Sequence, residues 1–81
     1  MIINITVLYE NNEYPTRISN KSPLTDLLVD FGIQNWHNYR IVDIKSNCLL
    51  YKRARFVDLA IDDDDILSVE PHYTDYIAMQ T

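Results

Sequence analysis

Glycine is almost absent from this chain: Gly32 is the only one in 81 residues. Loops that cradle phosphate with bare backbone need several glycines, so nucleotide chemistry of that kind is excluded. Cysteine is equally scarce. Cys48 stands alone, so no internal disulfide can form, and two histidines, His37 and His72, are too few for a self-contained zinc site. A core built without such staples points to a reducing, cytoplasmic compartment. No apolar run approaches the roughly 20 residues that span a bilayer. The opening MIINITVLYE has no basic region ahead of its apolar stretch, so it does not read as a signal peptide and direct membrane insertion is not expected.

The last missing ingredient is local. Residues 56–81 contain seven acids and no Lys or Arg, a net of −7. Residues 40–55 carry +4 and residues 1–39 carry −2, giving the total of −5. Most of such a surface repels nucleic acid, so no nucleic-acid partner is expected and a charge-complementary protein is.

What is present is a globular chain, 47% hydrophobic, of a length that supports one core. Ile3, Ile5 and Val7 alternate with Asn4 and Thr6, which predicts a first strand with one buried face. After the polar break Glu10–Glu13, Tyr14–Ser19 reads as a returning strand with Thr16 and Ile18 facing in. Pro15 has no N–H to give a ladder and places that strand at an edge. Ser22-Pro23 reads as a helix N-cap and first position. Leu24, Leu27, Leu28 and Phe31 follow as one apolar stripe, and Gly32 stands where a left-handed cap ends a helix. Strands are then expected at 39–45, 48–52 and 66–70, with a tight turn at Phe56-Val57-Asp58-Leu59. The order β-β-α-β-β-β predicts an α+β domain over residues 1–70: a mixed sheet of four to five strands packed on one helix. Residues 71–81 form a tail whose Tyr73, Tyr76, Ile77 and Met79 are expected to dock on the domain, on a partner, or on a second copy in a homodimer.

Two charged runs invite functional readings. Asp62–Asp65 has neither the alternate ligand spacing nor the glycine of a calcium loop, and reads as a solvated, mutually repelling reversal. Ion binding or recognition by a basic partner is the alternative. Lys52-Arg53-Ala54-Arg55 reads either as a solvated loop neutralised by its acidic neighbour or as a protein-docking patch built on Lys52, Arg53 and Arg55. Cys48 opens a strand, far from any helix start that would make it a thiolate, and reads as a structural thiol. No cofactor, metal or catalytic constellation is predicted, and the chain reads as a non-enzyme.

The segment Leu49–Glu70, LLYKRARFVDLAIDDDDILSVE, resembles the last third of a ubiquitin-like β-grasp domain. Leu50, the anchor Phe56, Asp58 in the turn, Ile61, Leu67 and Val69 fall on that pattern without a gap. Among ubiquitin-like proteins it looks most like the small bacterial YukD/EsaB group and the related N-terminal domains of type VII secretion membrane components. In these an Asp precedes the last strand, as Asp65 does here. The chain differs in carrying Asp64 where that group has glycine, and in its tail. The resemblance implies a protein-interaction module, in type VII secretion an accessory or regulatory factor. It also implies a docking patch on the sheet, where Leu8 and Ile44 stand at matching positions and Ser68 and Glu70 replace other members of ubiquitin's patch. The candidates are Leu8 with Val42 or Ile44, as the register of the third strand decides, and the tail aromatics Tyr73 and Tyr76. Conjugating relatives act through a terminal Gly-Gly, whereas this sequence has Met79-Gln80-Thr81, so conjugation is not expected. The alternatives are a small acidic inhibitor, of phage origin for example, that occupies a basic groove, and a β-grasp subunit of a multicomponent enzyme.

Overall fold

The computed structural model describes residues 1–71. Five strands, β1 (Ile2–Tyr9), β2 (Asn12–Ser19), β3 (Tyr39–Asp43), β4 (Cys48–Leu50) and β5 (Ile66–Pro71), form one sheet in the order β2-β1-β5-β3-β4. A single helix, α1 (Thr25–Asp30), and two 3₁₀ turns, Trp36–Asn38 and Val57–Leu59, complete the described elements. Central β1 and β5 run parallel; every other pairing is antiparallel. Parallel neighbours need a crossover, and here everything from β2 to the second 3₁₀ turn supplies it.

The predicted alternation in β1 holds. Ile3, Ile5 and Val7 are buried and join Ile18, Ile41, Leu67 and Val69 on the inner face of the sheet. Leu24, Leu27 and Leu28 of the helical segment close over them, with Ile33, Phe56 and Ile61 sealing the ends of one continuous core. Pro15 pairs with Thr6 on an edge strand, where its missing donor costs no ladder bond. Pro71, first of the residues assigned to the tail, lies in β5 opposite Tyr39.

The helix starts later than the sequence predicts. Ser22 provides no cap; its carbonyl accepts from Phe56 N–H, and Pro23 bridges to Arg55. The orphan N–H groups of Leu24 and Thr25 donate instead to the carbonyls of Ala54 and Lys52, both at 3.0 Å. Tertiary backbone replaces the local cap. The C-terminal end is as expected. Gly32 has φ +75°, its N–H donates to Val29, and Ile33 N–H reaches back to Leu28. Those two bonds make a Schellman motif, and buried Ile33 and Leu28 supply its apolar contact.

Candidate functional site

The outer face of the sheet, opposite the helix, gathers most of the exposed aliphatic side chains that belong to strands. Leu8 pairs with Ser68, Ser68 with Val42 and Val42 with Leu49, so one row crosses four strands. A second row runs from Thr6 to Ile66, and Ile44 N–H donates to the Ile66 carbonyl (3.1 Å) to extend it. Leu49 is 66% exposed, Ile44 43% and Ile66 39%; Leu8 and Val42 are half-buried between their neighbours. The register of β3 is set by β5: Ile41 opposes Val69 and points inward, leaving Val42 to face out. The structure thus brings Leu8, Val42 and Ile44 together and adds Leu49 and Ile66, which sequence reasoning missed. The signal existed in Leu49-Leu50 and Ile66-Leu67, since only one of two adjacent strand residues can face the core.

Ser68 and Glu70 do not break this surface with a free charge. Glu70 accepts from Arg40 Nε and from Ser68 Oγ, both at 3.0 Å. Beyond Leu8 the face opens into a cleft of about 820 Å³ between the β1–β2 turn and the end of β5. Tyr9, Tyr39, Glu10 and Glu13 line it. Burial, reinforced by a hydrogen bond with Tyr39 and the nearby charge of Glu10, pushes the Tyr9 hydroxyl up to about 12. That phenol stays protonated and packs edge-on against Phe31, centroids 5.4 Å apart.

Two of the three cations in the run 52–55 have partners within the domain. Lys52 Nζ donates to the carbonyls of Trp36 and Tyr39, joining the 3₁₀ turn and the start of β3 to the loop after β4. Burial lowers its pKa from the ordinary lysine value. Arg55 holds Asp58 through two parallel bonds of 3.0 Å. That pairing raises the guanidinium's pKa and lowers the carboxylate's. Arg53 alone stands exposed with no acidic partner among the described residues. Tyr73 and Tyr76 lie outside the described residues.

The aspartate run is more ordered than mutual repulsion implies. Asp63 accepts Asn4 N–H at 2.8 Å, Asp65 accepts Asp62 N–H at 2.9 Å, and Asp62 accepts Asp63 N–H at 2.9 Å. Asp64 N–H donates to Asn4 and Thr6 N–H to Asp65, so the loop extends the β1–β5 ladder. Among the described residues no group of His, Cys, Asp and Glu side chains is arranged to hold a metal ion. No described helix is long and apolar enough to cross a membrane. Cys48 is exposed on edge strand β4, with Sγ 3.5 Å from the Ser46 carbonyl.

A five-stranded mixed sheet in this order, with parallel central strands and one helix across its inner face, is the ubiquitin-like β-grasp fold. Comparison with solved structures agrees. The N-terminal ubiquitin-like domain of the 4931431F19Rik protein superposes with a TM-score of 0.67 at 13% identity, over 84% of this chain and 72% of that one. The EccD5 ubiquitin-like domain from Mycobacterium xenopi gives 0.64 at 8% identity, over 88% of this chain and 94% of that one. No protein-family profile and no curated protein matches the sequence.

Proposed function

We propose that this domain is a non-catalytic protein-interaction module that docks a partner through the outer face of its sheet. The observation that carries the reading is the alignment of Leu8, Val42, Ile44, Leu49 and Ile66 on one solvent-facing surface. Aliphatic side chains clustered there, and rimmed by polar groups, favour burial against another protein. The resemblance of Leu49–Glu70 to the YukD/EsaB group, and the shared fold with an EccD5 domain of a type VII secretion system, support a narrower role. In that role the chain is an accessory or regulatory factor of type VII secretion, acting in the cytoplasm. Arg53 and the tail residues Tyr73 and Tyr76 are secondary contacts in this proposal.

The test is an affinity capture from a bacterial extract that contains a type VII system, comparing the native protein with Val42→Asp, followed by mass spectrometry. Secretion-system proteins should be retained by the native chain and lost with the variant. Recovery of an oxygenase subunit or a nucleic-acid enzyme in their place would refute the secretion assignment. Equal capture by Val42→Asp would refute the docking face.

A further inference from the structure

The charges around the outer face specify what kind of protein segment fits it. The apolar rows run across the strands, and at one end of the face along the strand direction lies the aspartate loop, tied to Asn4 by the Asp63 carboxylate and the Asp64 N–H. At the other lie Glu10 in the β1–β2 turn and Glu13, which pairs with Leu8 in β2. Six carboxylates therefore border the face: Glu10, Glu13 and the four of Asp62–Asp65. None has an ion-pair partner among the described residues.

The nearby cations do not balance them. Arg40 is occupied by Glu70, Arg55 by Asp58, and the Lys52 ammonium by two carbonyls. Among the described residues, Arg17, opposite Asn4 on β2, and Lys45, in the β3–β4 turn, remain beside the face without an acidic partner. The centre is neutral and apolar, while both ends are negative. The cleft beyond Leu8 continues the pattern, with Glu10 and Glu13 in its wall. Carboxylates beside an apolar surface receive an ammonium or guanidinium group through charge-assisted hydrogen bonds.

We propose that the partner is a protein segment with an apolar centre and lysine or arginine at its ends, the end over Leu8 inserting its cation into the Glu10–Glu13 cleft. This rests on the docking face argued above and adds the sign of its partner. A second copy of this acidic chain is disfavoured as the occupant, because its own carboxylates would meet the same rim.

The probes are three synthetic peptides of equal length and helicity, one leucine–lysine, one leucine–glutamate and one serine–lysine, titrated into the ¹⁵N-labelled protein. The leucine–lysine peptide should shift the amides of Leu8, Val42, Ile44, Leu49 and Ile66. Its affinity should fall about tenfold between roughly 50 and 300 mM salt. The exposed double variant Glu10→Gln/Glu13→Gln should bind it several-fold more weakly, with a flatter salt response. Equal binding of the leucine–glutamate peptide overturns the charge assignment and leaves the docking face standing. Equal binding of the serine–lysine peptide overturns it too, as attraction without a docking surface. Shifts from no peptide at these five residues would defeat both readings. A concentration-dependent dimer that buries Val42 and Leu49 would replace the proposed partner with a second copy.

Discussion

Six described residues hold left-handed backbone, yet only one of them is glycine. Gly32 is joined by Glu10, Asn11, Asn47, Ala60 and Asp64, with φ between +51° and +70°. Glu10 and Asn11 are consecutive and make the two-residue turn that suits the right-handed twist of a hairpin. Asparagine and aspartate tolerate this region because their short side chains bond locally, whereas alanine meets its full steric cost, about 1–2 kcal/mol. Ala60 closes the second 3₁₀ turn at φ +56°, exposed to solvent. Ala60→Gly should therefore stabilise the domain by about 1 kcal/mol, after subtracting the entropy glycine adds to the unfolded chain. Asp64→Gly should gain less, since its φ of +70° is one that aspartate already adopts at modest cost. Urea midpoints of the two variants decide this; a loss at Ala60→Gly would show that the residue's methyl group, or its turn, does something the backbone angle does not reveal. The position where the YukD/EsaB pattern has glycine is the left-handed one at Asp64. The motif departure visible in the sequence has a backbone angle beneath it.

At the scale of elements, most of the fold was legible because it depends on local pattern. The alternation of Ile3, Ile5 and Val7, the stripe Leu24-Leu27-Leu28-Phe31 and the cap at Gly32 each state their structure within a few residues. What failed to show depends on partners far along the chain. The helix start was misplaced because Leu24 and Thr25 take their acceptors from Ala54 and Lys52, and no window around Ser22-Pro23 contains that information. The same holds for the candidate site. Leu8, Val42 and Ile44 are readable as candidates, but their common face needs the β3–β5 register, and the choice between a neutralised loop and a patch at 52–55 turns on partners that the run itself does not name. Lys52 is the clearest case. Its ammonium fastens the Trp36–Asn38 turn and the start of β3 to the loop that caps α1. Lys52→Met should cost about 1–3 kcal/mol, the price of leaving partly buried carbonyls without donors. Arg53→Met, at an exposed side chain, should stay within about 0.5 kcal/mol. Hydrogen exchange adds a local readout: protection should drop at residues 36–39 in the Lys52 variant and nowhere comparable in the Arg53 variant. Matching effects at both positions would mean that the hydrogen-bonded lysine is not structural.

For the whole molecule, the sheet divides labour between its faces, and the division can be measured. The inner face and Phe56 carry stability. Phe56 is fully buried, its N–H bonds Ser22, and its carbonyl accepts from Leu59 and Ile61, so it pins the crossover between α1 and β5. A domain of this length has a total stability of about 4–12 kcal/mol. Phe56→Ala removes about 3–5 kcal/mol through lost burial and the cavity left behind, enough to unfold a large fraction of molecules near body temperature. The outer face should behave oppositely. Val42→Ser and Leu49→Ser alter side chains that no described element covers, and each should change stability by no more than about 1 kcal/mol, or about 4–8 °C in Tm. The two serine variants should nevertheless lose binding to the leucine–lysine peptide. Thermal unfolding of all three proteins, set beside that titration, separates the roles. If Val42→Ser or Leu49→Ser lowered Tm as far as Phe56→Ala does, the outer aliphatics would be part of the folding core, and a surface that the fold itself requires buried cannot also be the one held open for a partner.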